Sequence, residues 1–419
     1  MRFALPRLAG ASTVVLGSFL VVAPMLAGPP ASGVSAGGGA ASLGSPLPSA
    51  GSAALLPSAA ATPVTPEVRE VSVAAADRSR EPTLAAKSVP QSVEGYGVVG
   101  ATWLGRPPTG LRLAVRTQNR GGWSSWRELH IGHGPTAGSP ETRQTRLGTD
   151  PLAVGEVDAV QLRATSATGT APRDLELSVI DPGYSASDES AVGVATAIGA
   201  TGGSAAQARP AHSGSTSKAA SQAKVKAKGV HAPRPRIRKR AAWGADERMR
   251  STSPRYGRVK AGFVHHTVNA NRYSRSDVPS IIRGIYAYHT QSLGWSDIGY
   301  NFLIDRFGRK WVGRKGGPRQ AVIGAHAYGY NHVSSGMAAI GNFETRQPSR
   351  EVRRAFGRML GWKLGLHGVR VGGRAPRLEG ERFRAISGHR DADQTACPGI
   401  KLYRRLPAIR RIAIRWQHR

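Results

Sequence analysis

"AGFVHHTVN" (Ala261–Asn269) is a short apolar run, rich in β-branched and aromatic residues, that ends in paired histidines. Such a run reads as a buried strand whose end reaches the surface of a sheet. Helical and strand periods alternate after it. In "SDVPSIIRGIYAYHTQSLGW" (276–295), Val278, Ile281, Ile282, Ile285 and His289 recur at helical spacing. Ser276 and Asp277 offer N-caps there, and Gly294 ends the helix. "IGYNFLIDRFGRKWVGR" (298–314) reads as a hairpin turning at Arg306–Gly308, and "MAAIGNF" (337–343) as another buried strand. "REVRRAFGRMLGWKLGLHG" (350–368) is an amphipathic helix, and "FRAISGHRD" (383–391) a last strand. These elements predict an α/β domain over residues 236–419, with a mixed central β-sheet flanked by helices.

The last strand runs into "ISGHRDADQTACPG" (386–399), which holds the only cysteine of the chain. An exported protein rarely keeps a lone thiol, so Cys397 asks for a role. A thiolate and imidazoles are the donors Zn²⁺ prefers, and a catalytic site keeps three protein ligands with one open position. Cys397, His389, and His265 or His266 form such a set. They are spread over more than a hundred residues, so this is no zinc finger; a site at strand ends fits that spread. The bland alternative is a satisfied core histidine and a small buried hydrophobe.

The first residues bear on compartment. Arg2 and Arg7 precede the apolar stretch "LAGASTVVLGSFLVVAPMLAG", which reads as a signal peptide ending within residues 1–36, at "MLA" or "VSA". The expectation is a secreted, cell-wall-associated protein with no transmembrane span after cleavage. No cysteine lies near the end of the apolar run, which excludes a lipoprotein. The formal net charge is +32, and 38 Lys+Arg against 11 Asp+Glu lie beyond residue 230. Such a field attracts polyanions. In an exported chain the natural polyanion is an anionic wall polymer. No groove-reading helix or RNA module accompanies the charge, so no nucleic-acid partner is expected.

Residues 37–90 are rich in Ala, Pro, Ser and Gly and read as disordered. From 91 to 184, apolar–polar alternation returns; Leu111, Leu113 and Val115 share one face, Arg112, Ala114 and Arg116 the other. Turn residues about every ten positions predict a small all-β, sandwich-like module. Trp123 and Trp126 in "GGWSSW" are expected in its core, with stacking on sugar as the other reading. Residues 185–235 read as a basic, flexible linker.

"RAAWGAD", "FVHHTV", "QSLGWSDIGYNFLIDRFGRKWVGR", "GAHAYGYNHVSSGMAAIGNFE" and "GHRDADQTACPG" occur in the order and spacing seen in peptidoglycan recognition proteins. These belong with the type-2 N-acetylmuramoyl-L-alanine amidases. The resemblance covers roughly residues 236–415; the whole chain also resembles secreted actinobacterial proteins with a β-rich module ahead of this domain. It implies the type-2 amidase fold, with a groove for peptidoglycan across one face. It implies zinc held by His265, His389 and Cys397, with His265 matched in preference to His266. Strand neighbours point to opposite faces, which supports choosing only one of that pair. The resemblance further implies Tyr300 as the catalytic tyrosine, Thr395 as a secondary donor, and His326, Asn331 and His266 on the substrate side. Animal members carry a disulfide just after the first zinc histidine; no cysteine stands there in this chain. The implied activity is zinc-dependent hydrolysis of the amide between N-acetylmuramic acid and L-alanine. Family members lacking the cysteine ligand bind peptidoglycan without cutting it, so a non-catalytic recognition module is the alternative.

Overall fold

The structure, a computed structural model, describes residues 62–77, 81–132, 141, 146–190 and 230–418. The expected signal peptide and most of the basic linker lie outside the described residues. All described residues fall within one compact unit, Ser58–Arg419.

Its amino-terminal part is the expected all-β module, built as two antiparallel sheets. One has the order Glu67–Ser72, Arg173–Asp181, Tyr96–Leu104, Leu147–Gly148, with Leu152–Glu156 also on Tyr96–Leu104. The other centres on Ala159–Thr165 and Arg112–Asn119, paired over seven residues with Leu162 opposite Val115. Between the sheets sit Val99, Trp103, Leu113, Val115, Leu162 and Leu177. The alternation across Arg112–Asn119 is therefore what it predicted, with Leu113 and Val115 inside and Arg112 outside.

Three features differ from the sequence reading. The module begins well before residue 91: Glu67–Ser72 pairs in full register with Arg173–Asp181, and Leu84–Lys87 pairs with Ala159–Thr165. Glu67–Ser72 buries little, and Leu84–Lys87 buries only the small Ala85 and Ala86, so their composition resembles that of a linker. Trp123 and Trp126 are only half-buried; the Arg116 guanidinium lies 4.5 and 4.8 Å from their rings, and Arg163 4.8 Å from Trp126. The core tryptophan is Trp103. The expected linker starts with a short helix, Ala186–Ser190, whose Asp188 is buried.

The carboxy-terminal part is the mixed α/β domain. Its sheet has the order Lys310–Val312, Phe302–Ile304, Ser334–Ala339, Ala261–His266, Ile386–Gly388. The hairpin pair is antiparallel and the other pairs are parallel. Every residue of Ala261–His266 is buried, as a strand flanked and covered on both faces must be. Helix Arg350–Leu366 packs Val352, Phe356, Met359 and Leu360 in one core with Val264 and Met337, and helix Leu406–Gln417 lies against it. Ser349 caps the first of these, its hydroxyl accepting from the Val352 N–H at 3.2 Å.

Helix Asp277–Ala287 carries apolar residues round most of its circumference, and Val278 through Ala287 are all buried. A helix apolar on all sides needs partners on all sides. One partner is the sheet, through Leu303 and Ala338; the other is the β module, through Val98, Ala153 and Ile180, all in a single core. Glycine allows the close approach: a Cβ at Gly284 would collide with Val98, and one at Gly100 with the Tyr288 ring. Polar groups seal the same contact. Tyr288 donates to the Ala101 carbonyl at 3.0 Å, and Arg314 pairs with Glu141 at 2.6 Å. Arg283, wholly buried, meets Asp188 at 2.7 Å and donates to the Pro182 and Trp243 carbonyls.

A buried ion pair stripped of one member leaves an uncompensated charge. Asp188→Ala should lower the unfolding free energy by about 3–5 kcal/mol. Urea unfolding of the full chain should still show one cooperative transition, because module and domain share a core. Two separate transitions, only one of them shifted, would contradict that shared core.

Candidate metal centre

The parallel pairings bring the ends of distant segments to one edge of the sheet. Val264 lies opposite Gly388, so His265 sits beside the turn His389–Asp391 that follows Ile386–Gly388. Asp391 closes that turn, accepting from the Gly388 N–H at 2.9 Å. The chain then loops back to Cys397, whose carbonyl accepts from the Arg390 N–H at 2.9 Å. Cys397 Sγ ends 3.7 Å from His265 Nδ1, and the rings of His265 and His389 are 4.6 Å apart.

One donor atom each from His265, His389 and Cys397 lies within 4.8 Å of the others. With metal–nitrogen bonds of about 2.1 Å and a metal–sulfur bond of about 2.3 Å, tetrahedral donors stand roughly 3.5 Å apart. The three side chains fit that requirement in both geometry and donor chemistry. Among the described residues this is the group of His, Cys, Asp or Glu so arranged.

His265 is held from behind. Its Nε2 lies 3.2 Å from His326 Nδ1, a hydrogen bond in which His265 is the donor whenever its Nδ1 lone pair is given to a cation. Asn331 shapes the loop that carries His326, its Oδ1 accepting from the His326 N–H at 2.7 Å and the Ala327 N–H at 3.0 Å. His266 takes the other face of the strand, its Nδ1 accepting from the Phe343 N–H at 3.2 Å. It is absent from the described pocket lining, whereas its backbone N–H reaches Cys397 Sγ at 3.4 Å. Tyr300, Thr395, His326 and Asn331 line one pocket with His265, His389 and Cys397. The Thr395 hydroxyl accepts from the Cys397 N–H at 3.1 Å.

Burial sets the protonation states. It pushes His265 well below the usual imidazole range, helped by His389 and His326, and pushes His326 down to about 3. Both rings therefore stay neutral, which leaves His265 a lone pair for a cation. Burial, then the Asp150 charge, raises the Tyr300 hydroxyl and the Cys397 thiol well above their ordinary values. Tyr300 is thus a phenol with a proton to donate. A bound metal reverses the sign for the thiol, since a coordinating thiol loses its proton outright.

Other pocket residues gave no signal in the sequence. His289 reads there only as one position of a helical stripe. A single π turn, Tyr288–Ser292, extends the helix and carries it; such turns recur at functional sites. Its ring stacks on Trp295 at 4.6 Å, and Nδ1 accepts from the Gly299 N–H at 3.2 Å. Asp150 and its neighbours come from the β module, far away in sequence.

His289 also gives a pH dependence. Burial, then Arg314, lowers it from 6.5 to about 3. Its contribution to stability is complete above pH 6.5; as pH falls from there towards 3, the unfolded chain takes up a proton that the folded one refuses. The metal-free protein should therefore lose stability steadily across that window in urea titrations, and His289→Gln should reduce the slope. An unchanged slope would contradict a buried neutral ring.

Two family descriptions match the chain. Residues 255–400 match "N-acetylmuramoyl-L-alanine amidase", and residues 53–187 match "Rv3811 N-terminal galactose-binding domain-like". Peptidoglycan-recognition protein SC2 of Drosophila simulans is 33% identical over 141 residues, covering 33% of this chain and 68% of that protein. A peptidoglycan recognition protein of Trichoplusia ni is 30% identical over 160 residues, covering 38% of this chain and 76% of that one. The solved structure of wild-type Drosophila PGRP-LB is 28% identical, covers 41% of this chain and 93% of its own, and has a TM-score of 0.35. With the His–His–Cys cluster above, the two relatives and the amidase match over residues 255–400 identify the chain as a member of the peptidoglycan recognition protein and type-2 N-acetylmuramoyl-L-alanine amidase family.

Proposed function

We propose that the chain is a zinc-dependent N-acetylmuramoyl-L-alanine amidase that cleaves peptidoglycan between the lactyl group of N-acetylmuramic acid and L-alanine. The observation that carries this reading is the convergence of His265, His389 and Cys397 donors in one pocket with Tyr300. These three side chains would hold the ion. Zinc in such a site polarises a carbonyl and lowers the pKa of a bound water towards about 7.

The rest is work for the protein's own groups. Tyr300, kept protonated by burial, donates its O–H to the amide oxygen as that oxygen gains negative charge. Thr395 accepts from the Cys397 N–H, which fixes the ligand loop and leaves its own O–H for a second donation. His326 keeps the His265 ring in one orientation. Leu293 and the His289–Trp295 stack present carbon to the same pocket and exclude water.

The alternative within the family is recognition without cleavage. A thiol 3.7 Å from a histidine nitrogen favours the enzyme, because a pure binding surface has no use for it. The proposed setting is the cell envelope, with the basic carboxy-terminal domain resting on anionic wall polymer. No helix among the described residues is long and apolar enough to cross a membrane.

The full chain should purify with about one zinc and release stem peptides from muropeptides. Cys397→Ser should lose both. Tyr300→Phe should keep the metal and lower kcat by roughly 10²–10³. His326→Ala should weaken zinc binding by roughly 10–100-fold, read by competition with a chromophoric chelator. Wild-type protein that binds muropeptide with neither zinc nor cleavage would refute the amidase.

A further inference from the structure

The carboxy-terminal domain does not build the metal-centre pocket alone. Gly148, Thr149 and Asp150 of the β module line it together with His265, Tyr300 and Cys397. Their placement is fixed by hydrogen bonds. Thr149 and Ala101 exchange hydrogen bonds of 2.9 and 3.1 Å, and the Asp150 N–H donates to the His130 carbonyl at 2.7 Å. The Ala101 carbonyl also accepts from Tyr288 of the other part. At Gly148, a Cβ would stand 2.7 Å from Leu293 and 2.8 Å from the Tyr288 hydroxyl. The segment is wedged against the pocket and can only sit there without a side chain at 148.

Asp150 is the one carboxylate among the described residues of this lining. It stands apart from the His–His–Cys donor group, so it is not a fourth ligand in this geometry. Its charge nevertheless reaches both Tyr300 and Cys397. The pocket thus presents a pure acceptor from one module and a phenol donor from the other.

A secondary amide carries one N–H donor and one carbonyl acceptor, which point in opposite directions when the bond is trans. We infer that Asp150 is a substrate-positioning residue of the composite site, accepting from the N–H of the scissile amide while Tyr300 donates to its carbonyl oxygen. This inference rests on the amidase reading for the identity of that amide. It makes the β module part of the substrate site rather than a separate tether.

The test compares full-length wild type, Asp150→Ala and Asp150→Asn on two soluble muropeptides. One has the natural muramyl–alanine amide; in the other an ester oxygen replaces its N–H. On the amide, Asp150→Ala should lower kcat/KM by roughly 10–100-fold, with Asp150→Asn between, since it keeps an acceptor oxygen. On the ester, the three proteins should differ little, and zinc content should be equal throughout. Equal losses on both substrates would mean a structural role and overturn the inference, as would no loss on the amide. If wild type cuts neither substrate, the amidase reading fails by itself. Affinity for the same two ligands then decides: a preference for the amide over the ester that vanishes in Asp150→Ala supports the contact, and equal affinities overturn it.

Discussion

The parallel pairing of Ala261–His266 with Ser334–Ala339 on one side and Ile386–Gly388 on the other is the constraint from which the site follows. Parallel strands deliver their carboxyl ends to one edge, and open α/β sheets place their ligands there. Here the edge gathers His265 from one strand end and His389 from the next. The loop leaving that second strand adds Cys397. A shift of one residue in the register of Ala261–His266 would exchange His265 for His266 and turn the wrong imidazole to the thiol. The apolar packing of Phe263 and Val264 on opposite faces holds that register.

The same logic extends past the domain boundary. Helix Asp277–Ala287 is buried on the sheet side by Leu303 and Ala338, and on the outer side by Val98, Ala153 and Ile180 of the β module. The module therefore closes the hydrophobic core of its neighbour. The Arg283–Asp188 pair and the Glu141–Arg314 pair fix its orientation at two further points. That rigidity carries the Gly148–Asp150 segment into the pocket lining.

Much of this is legible in the sequence, and the limits have physical causes. The helices and strands of the carboxy-terminal domain announce themselves through apolar period, caps and turns, as at Gly294. The pairing of Cys397 with histidines follows from donor chemistry once a lone thiol needs explaining. The choice of His265 over His266 takes the family resemblance and strand alternation together, and the structure brings His265 to the thiol. The module's edge strands escape notice because Glu67–Ser72 buries little and its composition resembles linker. The role of Trp123 and Trp126 is also misjudged, since stacking with Arg116 and Arg163 satisfies an aromatic ring as well as a core does. Asp150 is invisible: its significance arises from the docking of two modules, which no local pattern encodes.

Anomalous diffraction at the zinc edge from crystals of the full chain tests the central claim most directly. The account predicts a single peak between His265 Nδ1, the His389 imidazole and Cys397 Sγ, present in wild type and lost in Cys397→Ser. Density at another site, or a zinc-saturated crystal with no peak among these three side chains, would contradict it.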